Sequence, residues 1–113
     1  MVRLAIALRT SARGSSQALE AFRYLMLRTR LEPGCAGCSA WTDPDGSVHY
    51  TEAWHTEDDM KRRVLSDHFV RLLAVLESTD SPPQVQFDVV TTTRGLDYVA
   101  ETRHAASRRA EDR

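Results

Sequence analysis

The first part of the chain changes its hydrophobic period once, and this change limits the fold more than any other sequence feature. Apolar residues alternate with others over residues 2–9, which predicts a strand because successive side chains of a strand point to opposite faces. From Gln17 to Arg30 the period becomes helical, and the apolar stripe of this helix holds Ala18, Leu19, Phe22, Leu25, Met26 and Thr29. The sequence Gly14-Ser15-Ser16 supplies a turn and an N-cap between the two elements.

Two turn signals frame a hairpin in the middle of the chain. The sequence Glu32-Pro33-Gly34 ends the first helix, because proline cannot continue it and glycine tolerates a left-handed backbone. A second strand is predicted from about Ala36 to Thr42, and the following Asp43-Pro44-Asp45-Gly46 is typical of a tight turn. Residues 48–54 alternate again, so this third strand should pair with the second as a hairpin.

A second helical region follows the hairpin. Thr56 is a suitable N-cap, and the acidic residues 57–59 lie in the first turn, where the helix dipole favours them. The helical pattern continues to about Glu77, although Ser66-Asp67 could cap a new helix and divide the region in two. Ser81-Pro82-Pro83 ends the region, and a fourth strand then runs from Val85 to about Thr93.

The order strand, helix, hairpin, helix, strand defines the fold class. Right-handed crossovers place both helices on one face of a single antiparallel sheet, which predicts an α+β, ferredoxin-like βαββαβ domain over residues 1–95. The apolar parity of every strand should face the helices. The other parity is too apolar for a solvated face and too mixed for a second core, so we expect a second copy to cover it, with His49 facing that copy.

Composition narrows the class of protein. A length of 113 residues suits one domain, and a net charge of −1 gives no electrostatic footprint for nucleic acid. The apolar start of the chain lacks the features of a signal peptide, and no apolar run reaches the roughly 20 residues of a membrane span, so a cytoplasmic location without a membrane partner is expected. Residues 96–113 form a charged tail, in which residues 100–113 are expected to fray or stay disordered.

Four local motifs occur in a characteristic order: the helix end Thr29-Arg30-x-Glu32-Pro33-Gly34-Cys35, the strand end Glu52-x-Trp54, the helix start Thr56-Glu57, and Ser66-Asp67-His68-Phe69 before Leu72. Together they resemble the antibiotic biosynthesis monooxygenase superfamily, which includes quinol monooxygenases and forms dimeric α/β barrels. The resemblance covers about residues 2–90. It implies a homodimeric oxidoreductase that oxidises a small planar phenolic, quinol or anthrone-type compound with dioxygen, without a metal or flavin. Arg63 stands where many members carry a histidine.

The predicted substrate pocket lies between the helices and the sheet and is centred on Trp54. Trp54 and Tyr50 share the helix-facing parity of the third strand, where they are either core residues or the walls for a planar ligand. Phe22 of the first helix and Leu72 of the second are the apolar residues expected to face them. The indole N–H of Trp54 could also donate a hydrogen bond to the ligand.

Glu52 and His68 are the candidate catalytic residues. Glu52 shares the parity of Trp54. It either forms a structural ion pair or caps backbone amides, or it accepts a hydrogen bond from a substrate hydroxyl, with Arg63 or His68 as its partner. On an unbroken helix, His68 falls on one stripe with Met60, Val64, Leu72 and Val75, aimed at the sheet. It is either a satisfied core histidine or the base that takes a phenolic proton. Arg63 is expected to help anchor the substrate.

Three alternatives stay open. The protein could bind a small ligand without turning it over, it could bind haem through His68 as haem-degrading relatives do, or it could be a structural dimer whose pocket is filled. A redox or zinc role for Cys35 and Cys38 is disfavoured, because only one pair is present and an extended strand would separate the two Cα atoms by about 10 Å. Two small buried apolar residues is the preferred interpretation.

Overall fold

A computed structural model of the chain describes residues 1–79, 81–90 and 95–111. The order of elements is strand, helix, hairpin, two helices, strand and a final helix. They are β1 (Val2–Leu8), α1 (Ala12–Thr29), β2 (Cys35–Thr42), β3 (Val48–Trp54), α2 (Glu57–Val64), α3 (Asp67–Glu77), β4 (Gln84–Val89) and α4 (Asp97–Glu111).

The four strands form one antiparallel sheet in the order β2-β3-β1-β4. Strand β1 lies inside the sheet, so that Leu4 stands opposite Glu52 of β3 on one side and Phe87 of β4 on the other. Helix α1 packs over β2 and β3, α2 packs over β3, and α3 packs against α1 and α2. The predicted ferredoxin-like βαββαβ order is therefore confirmed, with α2 and α3 together in the place of the second helix.

Helix α1 begins at Ala12, earlier than the predicted Gln17. The side chain of Ser11 caps it by accepting a hydrogen bond from the backbone N–H of Gly14 at 3.1 Å. Ser15, predicted to belong to the turn before the helix, lies within it instead and donates from Oγ to the carbonyl oxygen of Gly46 at 2.8 Å. This bond ties the start of α1 to the turn of the β2–β3 hairpin.

The second helical region is divided at Ser66, which was one of the two outcomes that the sequence allowed. Ser66 Oγ accepts from the backbone N–H of Phe69 at 3.2 Å and donates to the carbonyl oxygen of Arg63 at 2.7 Å, so it ends α2 and begins α3. The single stripe predicted for an unbroken helix is wrong at Val64, which is partly exposed, while His68 and Leu72 remain buried.

The core lies between the helices and one face of the sheet, on the predicted parity of β1 and β3. Its apolar members are Val2, Leu4, Ile6, Leu8, Ala18, Phe22, Leu25, Met26, Cys38, Val48, Tyr50, Trp54, Met60, Phe69, Leu72 and Leu76. Burial of side chains of this size is the main favourable term in folding.

Strand β4 departs from the prediction that its apolar residues are covered by the helices. Val85, Phe87 and Val89 share the parity of the core, since they stand opposite Ile6, Leu4 and Val2 in the register. Each nevertheless stays about half exposed, and Phe87 is 47% exposed. The reason is position: β4 is the edge strand farthest from β2, and the helices pack towards β2 and β3. The predicted extension of this strand to about Thr93 falls partly on residues outside those described.

The tail also differs from expectation, because residues 97–111 form helix α4 rather than an irregular segment. Asp97 lies in its first turn and Arg108 and Arg109 in its last, where they complement the helix dipole. None of its side chains is buried. Across the described part of the chain, no helix combines the length and the apolar character that a membrane crossing requires.

Candidate functional site

Glu52 lies in the middle of β3 and is 1% exposed. Tyr50 and Trp54 flank it on the same face, because residues two apart on a strand point the same way. The hydroxyl of Tyr50 donates to Oε2 of Glu52 at 2.6 Å, and the indole Nε1 of Trp54 donates to Oε1 at 3.0 Å. The alternation of β3 therefore places two aromatic donors on one buried carboxylate.

Arg63 supplies the opposite charge. It lies in the last turn of α2, and its Nε and Nη2 donate to the carboxylate of Glu52 at 3.1 and 2.9 Å. Both side chains are completely buried. Burial alone would lower the pKa of Arg63, but the hydrogen bonds and the charge of Glu52 outweigh it and raise that pKa. The structural ion pair predicted for Glu52 is formed, and Arg63 is the partner.

His68 is linked to this pair through the other guanidinium nitrogen. Arg63 Nη1 lies 2.7 Å from His68 Nδ1 and 3.5 Å from Oε1 of Glu32. Arginine can only donate hydrogen bonds, so Nδ1 is the acceptor and a neutral imidazole carries its proton on Nε2. Burial, followed by the positive charge of Arg63, lowers the pKa of His68. The nitrogen that a general base would use is thus occupied by Arg63.

Two further hydrogen bonds extend this group on either side. The thiol of Cys38 lies 3.3 Å from the hydroxyl oxygen of Tyr50, and Arg63 Nη2 donates to Thr29 Oγ1 at 3.2 Å. Burial raises the pKa of the Cys38 thiol to about 11, and burial together with the nearby Glu52 charge raises the pKa of Tyr50. We call this group the Glu52 cluster, and its members are Thr29, Glu32, Cys38, Tyr50, Glu52, Trp54, Arg63 and His68.

The Glu52 cluster lies in the space in which the sequence predicted an apolar pocket around Trp54, so charged and polar groups stand where apolar walls were expected. Trp54 is 1% exposed, and every buried side-chain nitrogen and oxygen of the described residues has a hydrogen-bond partner. Five surface pockets among these residues have volumes of about 330 to 450 Å³. One of them is lined by Cys38 and Glu52, and none of the five is lined by Tyr50, Trp54, Arg63 or His68. The guanidinium of Arg63 occupies the region that a ligand was expected to fill.

Apolar side chains close the cluster from the helix side. The ring of Phe22 packs against Tyr50 in a tilted arrangement with centroids 4.9 Å apart, and both Phe22 and Leu72 are completely buried. The ring of Phe69 lies 5.3 Å from the guanidinium carbon of Arg63, a favourable cation–π contact. The sequence analysis did not predict this contact of Phe69. The place of Phe69 in the first turn of α3 after Ser66 could have indicated that its side chain faces the core.

An apolar pocket does exist, but between α2 and β4. This α2–β4 groove has a volume of about 400 Å³ and is lined by Val2, Glu57, Met60, Lys61, Val64, Leu65, Phe87 and Val89. Its wall is apolar because the half-exposed Phe87 and Val89 of β4 face the apolar residues of α2. None of the described helices covers the gap between β4 and α2. Sequence reasoning missed the groove, since it assigned Phe87 and Val89 to a covered core.

Two charged residues lie among the apolar side chains of the groove. Glu57 and Lys61 are one helical turn apart on α2, and Lys61 Nζ lies 3.9 Å from Glu57 Oε1. Both side chains are more than half exposed, so the pair is solvated and weak. The groove therefore combines apolar walls with one cation and one anion that are available to a ligand.

The opposite sheet face carries the second parity of the strands, as predicted. Trp41 stacks on His49 with ring centroids 5.2 Å apart, and His49 Nε2 lies 2.6 Å from Oδ2 of Asp43. Ala5 and Thr51 are half buried near the centre of this face. No helix of the described chain covers it.

The two cysteines are not bonded to each other. A bulge between Cys35 and Gly37 puts Cys35 opposite Trp54 and Cys38 opposite Glu52, so both cysteines fall on the parity of the core. Within the described residues, no group of three or more histidine, cysteine, aspartate or glutamate side chains is placed to bind a metal ion. The residues present do not fit haem, because His68 is buried and lines none of the five pockets.

Comparison with known proteins supports the fold. No protein-family model matches the chain, and no curated protein matches it in sequence. Solved structures do match. A candidate antibiotic biosynthesis monooxygenase from Deinococcus radiodurans superposes with a TM-score of 0.74 at 17% identity, over 84% of this chain and 97% of that one. A second candidate of the same name, from Nitrosomonas europaea, gives a TM-score of 0.69 at 15% identity, over 81% and 100%.

A third similar structure carries a broader name. It is a conserved protein of unknown function from Bacteroides thetaiotaomicron, described as a possible oxidoreductase, with a TM-score of 0.65 at 16% identity over 77% of this chain and 92% of that one. At these identities the likeness concerns the fold alone. The fold that the sequence resemblance implied is thereby confirmed.

Proposed function

We propose that the protein binds a small, flat, apolar compound in the α2–β4 groove. The observation that carries this proposal is the lining of the groove, where six of the eight lining residues are apolar and belong to α2, its C-terminal cap, β1 and β4. A volume of about 400 Å³ falls within the range of small-molecule sites. Exposed apolar surface of this kind on a folded domain is typical of a binding site.

The ion pair of Glu52 with Arg63 disfavours a ligand at the Glu52 cluster. A ligand there would have to displace Arg63 from Glu52 and leave a buried charge without its partner, which costs several kcal/mol, about 3–5 in measured cases. The groove needs no such rearrangement, because its apolar side chains are already partly exposed.

We further propose that the bound compound is a phenol, quinol or anthrone that reacts with dioxygen, with no metal or flavin. The fold shared with the candidate monooxygenases supports this second step. The proposed roles of His68 as base and Glu52 as acceptor do not gain support from the geometry, since His68 Nδ1 and both Glu52 oxygens already have partners within the cluster. Deprotonation of a bound compound would instead fall to groups at the groove.

Binding can be tested with 2-naphthol and anthrone, by fluorescence titration of the wild type and of Val64→Asp. The new carboxylate would stand on the apolar wall, and we expect at least a tenfold loss of affinity. Val70→Asp is the matched control, because Val70 is an exposed valine on α3 that does not line the groove. Equal affinities for the wild type and Val64→Asp would reject the groove as the site.

Oxidation is tested separately by dioxygen uptake. Wild-type protein is incubated with anthrone, with and without a chelator, and the uptake is compared with that of Val64→Asp. Dioxygen uptake that is lost in Val64→Asp but persists with the chelator supports the proposed oxidation. If a panel of phenols and quinols binds without any uptake of dioxygen, the oxidation is rejected and the protein is a ligand-binding protein.

We also propose that a second copy covers the open sheet face. The support is the half-buried alanine and threonine centre of that face and its stacked Trp41–His49 pair, which together are too apolar for a purely solvated surface. A symmetric dimer is the commonest way to cover such a face.

A further inference from the structure

Lys61 holds an unusual position in this chain. It is the sole lysine of the sequence, and it lies midway along the α2 wall of the groove, between Glu57 and Leu65. Its aliphatic stem can lie against the apolar wall while its ammonium stays at the mouth of the groove, as lysine side chains commonly do. A ligand in the groove would therefore meet this charge at its edge.

The other two basic residues in the last turn of α2 are already engaged. Arg62 Nη2 lies 2.6 Å from Oδ1 of Asp59, and Arg63 is buried in the Glu52 cluster. Within the part of the chain that the structure describes, the ion pair of Lys61 is the solvated contact with Glu57 at 3.9 Å. Of the residues that line the groove, Lys61 is the one with a positive charge.

We infer that the ligand of the α2–β4 groove carries an acidic oxygen at the edge of its flat apolar body, and that Lys61 binds this oxygen. The inference rests on the proposed function, since it needs the apolar body to lie in the groove. A phenolate or a carboxylate meets the requirement, because each is compact and accepts hydrogen bonds from an ammonium group. Glu57, one turn away, can accept a hydrogen bond from a hydroxyl group on the same ligand.

Binding of the oxygen as an anion has a chemical consequence. A cation near a phenol favours the charged form and lowers the pKa of the bound phenol. The phenolate is more electron-rich than the phenol, so the position of Lys61 would prepare a phenolic ligand for oxidation without a buried base. Removal of the Lys61 charge should then change the ionisation of the bound phenol and leave the packing of the ligand's apolar body in the groove unchanged.

The test compares three naphthalene compounds of equal shape: 2-naphthoic acid, which is anionic at neutral pH, neutral 2-naphthylmethanol, and cationic 2-naphthylmethylamine. The proteins are the wild type, Lys61→Met, which keeps an apolar stem of similar length, and Arg62→Met, the neighbouring basic residue that does not line the groove. Dissociation constants are measured by fluorescence at low salt.

For the wild type and Arg62→Met we expect the acid to bind about fivefold more tightly than the alcohol, the upper range for an exposed ion pair. In Lys61→Met this preference should disappear while the affinity for the alcohol stays the same. A preference that survives in Lys61→Met, or tighter binding of the amine than of the acid by the wild type, would overturn the inference on Lys61 and leave the groove as a ligand site.

Failure of the proposed function has a different signature. If none of the three compounds binds, or if Val64→Asp leaves all three affinities unchanged, the groove is not the ligand site and both proposals fall. Sedimentation at each protein concentration used gives the share of dimer that is present during the titrations. Loss of ligand binding as the dimer forms would identify a second copy as the occupant of the groove and would likewise overturn the inference.

Discussion

Arg63 Nη2 lies 2.9 Å from Glu52 Oε2, and neither side chain reaches solvent. The pair joins the middle of the sheet to the end of α2, and every buried side-chain nitrogen and oxygen of the described residues has a hydrogen-bond partner. A buried charge pair of this kind does not by itself make a protein more stable than apolar residues would. The consequence of the burial is that removal of either charge leaves the other charge buried without a partner.

The first prediction concerns this dependence. Arg63→Met or Glu52→Gln leaves one charge buried without its partner, and we expect each to lower the free energy of unfolding by about 3–5 kcal/mol. Urea denaturation followed by circular dichroism measures the change. The control is Arg9→Met, which removes the solvated pair of Arg9 and Asp45 and should cost less than about 1 kcal/mol.

The double variant Glu52→Gln/Arg63→Met completes a double-mutant cycle with the two single variants. With both charges removed, the loss should be clearly smaller than the sum of the two single losses. Losses that simply add would show that Glu52 and Arg63 act independently and would contradict the coupling inferred from their geometry.

The sequence predicted those features of the fold and of the Glu52 cluster that depend on local patterns, and it did not predict those that depend on distant contacts. The alternation of β1 and β3 and the caps at Thr56 and Ser66 are local signals, and they predicted the elements and the possible division at Ser66. The burial of Arg63 is not local, because a charged residue on a helix is expected at the surface until a buried carboxylate opposite it is known. The sequence allowed Arg63 to be named as one of two possible partners of Glu52. It did not show that the Arg63 side chain would occupy the space next to Trp54.

The groove escaped prediction for a related reason. Periodicity shows which face of β4 is apolar, and that assignment was right, since Phe87 stands opposite Leu4. It does not show how far the helices extend across the sheet. Whether Phe87 and Val89 are covered depends on the lateral placement of α2, which is a property of the packed structure.

The second prediction concerns His68 and pH. Burial and the charges of Arg63, Arg28 and Arg71 lower the pKa of His68 from its ordinary 6.5, against the opposite effect of Glu52. The unfolded chain therefore binds a proton at His68 more readily than the folded chain does. Stability contributed by neutral His68 is present above about pH 6.5 and is lost progressively as the pH falls below that value.

The measurement is the free energy of unfolding between about pH 7.5 and 5.5 for the wild type and His68→Gln, whose amide oxygen can still accept from Arg63. The decrease on acidification should be smaller in the variant. His104→Gln on the exposed helix α4 is the matched control and should behave as the wild type does. A decrease of the same size in His68→Gln would show that other groups cause it.

The third prediction distinguishes the two cysteines. Cys38 is buried, and its burial raises the thiol pKa to about 11, so it presents little thiolate at neutral or mildly alkaline pH. Cys35 is partly exposed, although its burial also raises its pKa. We expect a thiol-specific reagent at about pH 8 to label Cys35 in the folded protein and Cys38 only after unfolding.

Mass spectrometry of the labelled peptides after proteolysis identifies the modified residue. In Cys35→Ser the folded protein should then show no rapid reaction, while full labelling should return in denaturant. Rapid labelling of Cys38 in the folded Cys35→Ser variant would mean that β2 opens more readily than its contact with Tyr50 indicates.

The fourth prediction tests the proposed cover of the open sheet face. If a second copy lies there, Ala53→Arg places a long charged side chain within the contact, because Ala53 points to the same face of β3 as Thr51, and it should convert a dimer to a monomer. Sedimentation velocity over a range of concentrations measures the change. Glu20→Arg, on the exposed side of α1, introduces the same side chain away from the sheet and should leave the association unaltered. Because Ala53 lies outside the α2–β4 groove, the monomeric variant should still bind 2-naphthol, provided that the groove belongs to a single copy. A wild type that sediments as a monomer at every concentration would reject the dimer and leave the groove proposal intact.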